Sequence, residues 1–235
     1  MNFSIVFPTR ERPHLLKKLL YSIADNTEDL SKVEVFIAID EDDMTDYEVL
    51  EAFSFVKYFR VKRSLNFSKD YYSFLAKQST GQWVIAVNDD CVFETPNWDS
   101  LAYEVLKDKP GVIYGWSEDG LGEYRAHGHG NYCCFPLQGR AGIEAMGCFF
   151  PARIPTWGAD IWIKGLYDQV QAVVHLPITI RHFCHHNKTR EQDDISKRIA
   201  SHQVGFDVRP TYEEVNLLLK AKRNACLQKQ EQTVS

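Results

Sequence analysis

The sequence predicts an α/β fold: a mainly parallel central sheet with helices on both faces, plus a smaller region beyond it. Three observations predict it. Short apolar runs alternate with stretches of helical periodicity through the first hundred residues. Several of those runs stop at charged or polar turns, as strands do at the ligand-binding edge of an open sheet. Finally, 44% of the 235 residues are hydrophobic, enough for a substantial core.

The elements follow in order. Phe3 to Phe7 is an apolar strand ending at Pro8, and Thr9 to Pro13 is a polar turn. His14 to Ile23 places Leu15, Leu16, Leu19, Leu20 and Ile23 at helical spacing, with Pro13 suited to the first turn. Thr9, Arg10 and Arg12 therefore lie near a helix N-terminus, a natural place for an anion; a solvated charged loop is the alternative. Val33 to Ile39 is a second strand, ending in Asp40-Glu41-Asp42-Asp43. Tyr47 to Phe55 reads as helix, Tyr58 to Val61 as a short strand, and Ser64 to Ser68 as a loop. Asp70 to Gln78 is helical, with Tyr71, Phe74 and Leu75 on one face, and Thr80-Gly81 ends it. Gln82 to Val87 is a buried strand that runs into Asn88-Asp89-Asp90.

The second half is less regular. Asp99 to Leu106 is a helix, and Val112 to Trp116 a strand. Gly120 to Asn131 is rich in Gly and His. Ala145 to Phe150 reads as a strand, and a helix starts at Trp157-Gly158-Ala159-Asp160. Ala172 to Leu176 and Ile178 to Ile180 read as two strands about Pro177, followed by Arg181-His182-Phe183-Cys184-His185-His186. A polar helical tail begins at Asp193. Residues 1–110 form a first half, 111–192 a second half of the same domain, and 193–235 the tail.

A net charge of -5 does not mark a nucleic-acid binder. There is no apolar run of about 18 residues to span a membrane. The N-terminus lacks a basic n-region and a small-residue cleavage site, so no secretory signal is expected. Six cysteines then imply reduced thiols and a cytoplasmic location.

Asn88, Asp89 and Asp90 offer hard oxygen ligands for Mg²⁺ or Mn²⁺, ions that commonly bridge phosphates. An acidic surface turn is the alternative reading of these three residues alone.

Four segments, in this order and spacing, resemble the GT-A (Rossmann-like) nucleotide-sugar glycosyltransferases of the family 2 type. They are Ile5 to Arg12, Val35 to Asp40, Gly81 to Asp90, and Trp157-Gly158-Ala159-Asp160. The resemblance covers residues 3 to 185 and is densest in the first hundred. It implies that Pro8, Thr9, Arg10, Arg12, Asp40 and Asn66 line the donor site, with Asn88 and Asp89 facing the sugar or ribose. It makes Asp90, the last residue of an Asp-x-Asp pattern, the metal ligand, with His182 as a further one ahead of His185 and His186. Asn88 stands where the pattern has its first Asp, and Ala159 where an acid usually precedes the catalytic one. Asp160 becomes the general base that takes the acceptor's proton. The implied reaction is a metal-dependent, inverting transfer from a nucleoside-diphosphate sugar, foremost a UDP-sugar, to an acceptor hydroxyl, with Mn²⁺ or Mg²⁺ as cofactor. The region after residue 110 would serve the acceptor, a glycan or small molecule.

Four other readings stay open. The late segment is locally basic at Arg181, Lys188, Arg190, Lys197, Arg198 and Arg209, which suits a modified-DNA acceptor as in phage enzymes that decorate nucleobases. A zinc site from His127, His129, Cys133 and Cys134, with Cys184 and His185, has poor ligand spacing. A nucleotidyltransferase would want glycine in the first turn, where Phe7-Pro8-Thr9-Arg10 has none. A non-catalytic nucleotide-sugar binding module would have no need of Asp89, Asp90 and Asp160 together.

Overall fold

The computed structural model describes residues 2–120, 133–184, 197 and 206–234. Strand β1 (Phe3–Thr9), helix α1 (Pro13–Asn26), β2 (Val33–Asp40) and β3 (Val56–Val61) open the chain. A π-helical turn, Ser68–Ser73, runs straight into α2 (Phe74–Gln78). Strands β4 (Trp83–Ala86) and β5 (Cys91–Phe93) and helix α3 (Trp98–Leu106) follow. Then come β6 (Tyr114–Glu118), β7 (Leu137–Gly139), α4 (Arg140–Met146), α5 (Ala159–Gln169), β8 (Val173–His182) and α6 (Tyr212–Val234).

The described strands form one eight-stranded sheet in the order β3-β2-β1-β4-β7-β6-β8-β5. The pairings β3·β2, β2·β1, β1·β4 and β6·β8 are parallel, while β7 joins β4 to β6 in antiparallel fashion. Alternation along the strands feeds two cores. Phe3, Ile5, Phe7, Val35, Ile37 and Ile39 pack with the buried face of α1 and with Trp98, Ala102 and Leu106 of α3. Val6, Phe36 and Ala38 pack on the other side with Leu75, Trp162, Ile163 and Leu166. Helices thus cover both faces, as the alternation of elements predicts.

The sheet ends put the polar turns on one edge. Strand β4 pairs β1 only as far as Val6↔Ala86, so Pro8 and Thr9 reach past it with β2 alone alongside. Pro8 can sit there because a proline cannot supply a ladder bond on both sides.

Several local expectations change. Ala145 to Phe150 is not a strand. Helix α4 occupies its start and stops at Gly147, which takes the left-handed φ of 69° expected of a helix-terminating glycine. Phe149 and Phe150 then turn into the core, held by Ser73 Oγ, which accepts from both backbone amides. Pro177 does not split two strands; β8 is continuous. Its register with β6 shifts between Trp116↔His175 and Glu118↔Thr179, and Pro177 falls in that irregular stretch, where no regular ladder bond is lost. The helix expected at Tyr47 to Phe55 is a short 3-10 turn, Glu48–Ala52. Strands β5 and β7 were not expected, being three residues each and too short to show a period. Within the expected helical tail, helix α6 begins at Tyr212, and Lys197, the one described residue of 193–205, is also helical.

Candidate active site

The turn after β1 aims two arginines at different strands. Glu11 has a left-handed φ of 55°, uncommon without glycine, and its N–H is held by Asp43 Oδ2 at 3.0 Å. On one side of that twist, Arg10 bonds Asp40 at 3.1 Å and Asp42 at 2.5 Å. On the other, Arg12 bonds Asp89 Oδ1 at 2.9 Å. Thr9 Oγ1 donates to the other oxygen of Asp89 at 2.8 Å. Asp40, at the end of β2, also accepts from the Tyr71 hydroxyl at 2.5 Å.

Asn88, Asp89 and Asp90 follow β4 and precede β5. Asp89 and Asp90 are 3% and 7% exposed, so the acidic turn is not a surface feature. The amide oxygen of Asn88 accepts from the Tyr72 hydroxyl at 2.7 Å. Strand β5 pairs β8 with Cys91 opposite His182, and the Phe183 N–H bonds the Asp90 carbonyl at 2.8 Å. That register delivers His182 Nε2 to 3.2 Å from Asp90 Oδ1.

Burying this much charge moves its protonation equilibria. Burial and the neighbouring Asp90 push Asp89 up to about 6, against the pull of Arg12 and Thr9. Burial opposes a charged His182, but its contacts with Asp90, Cys134 and Cys184 outweigh burial and raise its pKa well above the ordinary value. Burial, with the charges of Asp89, Asp90 and Asp160, raises the Tyr72 phenol. Burial likewise pushes the Cys134 thiol up to about 12, and Asp160 again contributes. The charge of Asp160 therefore acts on two groups that flank the acidic turn. Asp160 itself stands in the first turn of α5, where its carboxylate also accepts from the Ile161 N–H at 2.9 Å.

These strand-edge acids, their arginine partners and the Trp157-to-Asp160 turn coincide with a family match: residues 4–160 fit the model for glycosyl transferase family 2. The chain belongs to that family. No curated protein matches it in sequence. Among solved structures, the S. aureus protein TarS (residues 1–349) in complex with UDP is similar at TM-score 0.59 and 13% identity, covering 95% of this chain and 71% of that one. The mannosyltransferase PcManGT from Pyrobaculum calidifontis, in complex with GDP-Man and Mn²⁺, is similar at TM-score 0.62 and 12% identity, covering 98% and 75%. GalNAc-T7 with UDP, GalNAc and Mn²⁺ is similar at TM-score 0.59 and 15% identity, covering 77% of this chain and 43% of that longer one. The fold is GT-A, and this family 2 member is a glycosyltransferase.

In this transferase the structure gathers Thr9, Arg12, Asn88, Asp89, Asp90 and His182 into one cluster at the sheet edge, with Pro8 in the strand that leads to it. Arg10 and Asp40 form a second cluster at the neighbouring strand end, where Arg63 lies 3.3 Å from Asp42. Asn66 lies in the loop before the π-helical turn. Its side-chain oxygen accepts from the Lys69 N–H at 3.0 Å and its amide donates to Ala152 O at 2.9 Å. Tyr71 and Tyr72 were not singled out as site residues, although a buried tyrosine hydroxyl needs a partner and these two find Asp40 and Asn88. His185 and His186 lie outside the described residues.

Asp90 and His182 supply an oxygen and an imidazole nitrogen, a donor set that suits Mn²⁺. Among the described residues no group of three His, Cys, Asp or Glu side chains is placed to hold a metal. The remaining ligands would have to come from a phosphate and water, the usual arrangement for such ions. For the zinc reading, His127, His129 and His185 lie outside the described residues, and Cys133 is bonded to Ser117 and the Phe135 amide.

Proposed function

We propose that this protein carries out metal-dependent, inverting transfer of a sugar from a nucleoside-diphosphate sugar, foremost a UDP-sugar, to an acceptor hydroxyl. The observation that supports it most is the buried Asp89-Asp90 turn paired with Arg12 and His182 at the strand edge that also carries Thr9. Two adjacent carboxylates in so dry a site are strained by mutual repulsion, and a divalent cation relieves it. Asp90 and His182 would hold Mn²⁺ or Mg²⁺, which when bound offsets the charge that grows on the departing diphosphate. Arg10, Asp40 and the Thr9 turn bind the nucleoside, and Asn88 and Asp89 orient the ribose or sugar. Asp160 accepts the acceptor's proton, and a single displacement with one base inverts the anomeric centre.

The acceptor is a glycan or small molecule. Of the basic residues that favour DNA, Arg181 is paired with Glu94 at 2.5 Å and Arg209 with Asp207 at 2.7 Å. Charges neutralised in this way add little to phosphate binding. Lys188, Arg190 and Arg198 lie outside the described residues. No helix among the described residues is long and apolar enough to cross a membrane.

The test is a panel of UDP- and GDP-sugars with Mn²⁺, Mg²⁺ or EDTA, with candidate glycans, small hydroxyl compounds and hydroxymethylated DNA as acceptors. We expect nucleoside diphosphate release that EDTA abolishes, a product of inverted configuration, and loss of transfer with retained donor binding in Asp160→Asn. Pyrophosphate release would point to nucleotidyl transfer instead. Donor binding with no turnover would point to a binding module.

A further inference from the structure

The reading of Asp160 as the base leaves open what holds it. Asp160 lies in the first turn of helix α5, directly after a loop at residues 151–158, and a base must be held to within a fraction of an ångström. We propose that Arg153 and Glu214 are positioning residues that lock the C-terminal strap, residues 207–214, over this turn and so fix Asp160 against the donor acids; the proposal rests on the reading of Asp160 as the base.

The strap brackets Asp160 on both sides in sequence. Two residues before it, Gly158 has a left-handed φ of 93°, and a Cβ there would fall 2.7 Å from Val208 Cγ1. The turn accepts the strap only because this residue has no side chain. Two residues after it, buried Trp162 donates its indole N–H to Glu214 Oε2 at 3.1 Å. The same oxygen accepts from the Thr211 N–H at 2.7 Å and from Arg153 Nη2 at 2.9 Å. Arg153 closes the lock by donating to the carbonyls of Asp207 at 2.5 Å and Arg209 at 3.1 Å. An exposed ion pair alone would contribute little. The Glu214 side chain is only 14% exposed and takes charge-assisted bonds from three directions, which gives it a defined geometry.

The loop is tied on its other flank to the donor half. Asn66 donates to Ala152 O, the Ser68 N–H to Pro155 O at 3.2 Å, and Ser68 Oγ to Ile154 O. Ser68 opens the helical turn that carries Tyr71 and Tyr72, which bond Asp40 and Asn88. Hydrogen bonds therefore link Asp40 and Asn88 through residues 66–72 to the loop at residues 152–155, the chain carries that loop into Asp160, and the strap clamps the turn from its far side. This also gives Asn66 a role away from the ligand.

If the lock merely anchored α6, its loss would lower stability and leave turnover per folded molecule unchanged. The full chain is compared with Glu214→Ala, Glu214→Gln, Val208→Ala and Leu218→Ala. Leu218 is a fully buried contact of α6 outside the strap. Nucleoside diphosphate release from UDP- and GDP-sugars gives kcat and donor KM, and hydrogen exchange reports the amides of residues 158–162.

We expect Glu214→Ala to lower kcat roughly tenfold or more with donor KM within about twofold, and to speed those amides about tenfold. Glu214→Gln should recover part of kcat, Val208→Ala should show a smaller loss of the same kind, and Leu218→Ala should lower Tm without changing kcat. Equal loss of kcat in Leu218→Ala and Glu214→Ala would overturn the proposal, as would unchanged exchange at residues 158–162 in both Glu214→Ala and Val208→Ala. A wild-type protein that turns over no donor would defeat the assignment of Asp160, and the exchange data would still decide whether the strap holds this turn.

Discussion

Asp89 is 3% exposed, yet it carries an ion pair from Arg12 and a hydrogen bond from Thr9. Its pKa of about 6 lies above the usual aspartate value near 4, so between those limits the folded state holds a proton that the unfolded state has lost. Asp89 thus draws stability down as pH rises through that window, and Arg12 limits the loss. Arg12→Met leaves the buried carboxylate without its cation. We expect it to cost about 3 kcal/mol at pH 8. At pH 5, where Asp89 is protonated, the cost should be clearly smaller. Urea denaturation at the two pH values measures both, and an equal cost at each would mean that the pair does not control Asp89. The residue types in this cluster were legible in the sequence, because acids and arginines stood at strand tips. Which arginine meets which acid was not. Arg12 and Asp89 are 77 positions apart, and the split between Arg10 and Arg12 depends on the φ of Glu11.

At the scale of elements, what the sequence showed depended on length. Strands β1, β2 and β4 and helix α1 carry several consecutive core positions, and their periods were readable. Strands β5 and β7 have three residues each, and only their partners define them. His182 was expected just past a strand; it is the last residue of β8, and its place beside Asp90 follows from pairing with β5. The joint between β7 and α4 is equally non-local. At Gly139 a Cβ would sit 2.0 Å from the Gly111 carbonyl oxygen, and backbone cannot yield as a side-chain tip can. Gly147 has the left-handed φ of 69° but open space around it. We expect Gly139→Ala to cost about 3 kcal/mol through forced backbone shifts. Gly147→Ala should cost about 1 kcal/mol from its backbone conformation alone. Chemical denaturation of both variants checks the order; a larger cost at Gly147 would mean that the sheet closes differently here.

At the scale of the molecule, β7 joins the parallel strands β3-β2-β1-β4 to the later strands in one sheet. Asp40, at the end of β2, and the late histidine consequently share an edge, although 142 positions separate Asp40 from His182 (182 − 40). The fold class was readable from alternating elements; the assembled site required the register of β5 on β8 and the clamp on Asp160's turn. In the proposed reaction, the buried turn at Asp90 binds the diphosphate of a nucleotide donor through a divalent ion. Calorimetric titration of UDP and GDP into the full chain, with Mn²⁺ and with EDTA, tests it most directly. We expect Mn²⁺ to tighten nucleotide binding by roughly 30-fold or more, about 2 kcal/mol, and Asp90→Ala to remove this gain while leaving the weak metal-free binding. Equal Mn²⁺-dependent tightening in Asp90→Ala and the wild-type protein would contradict it.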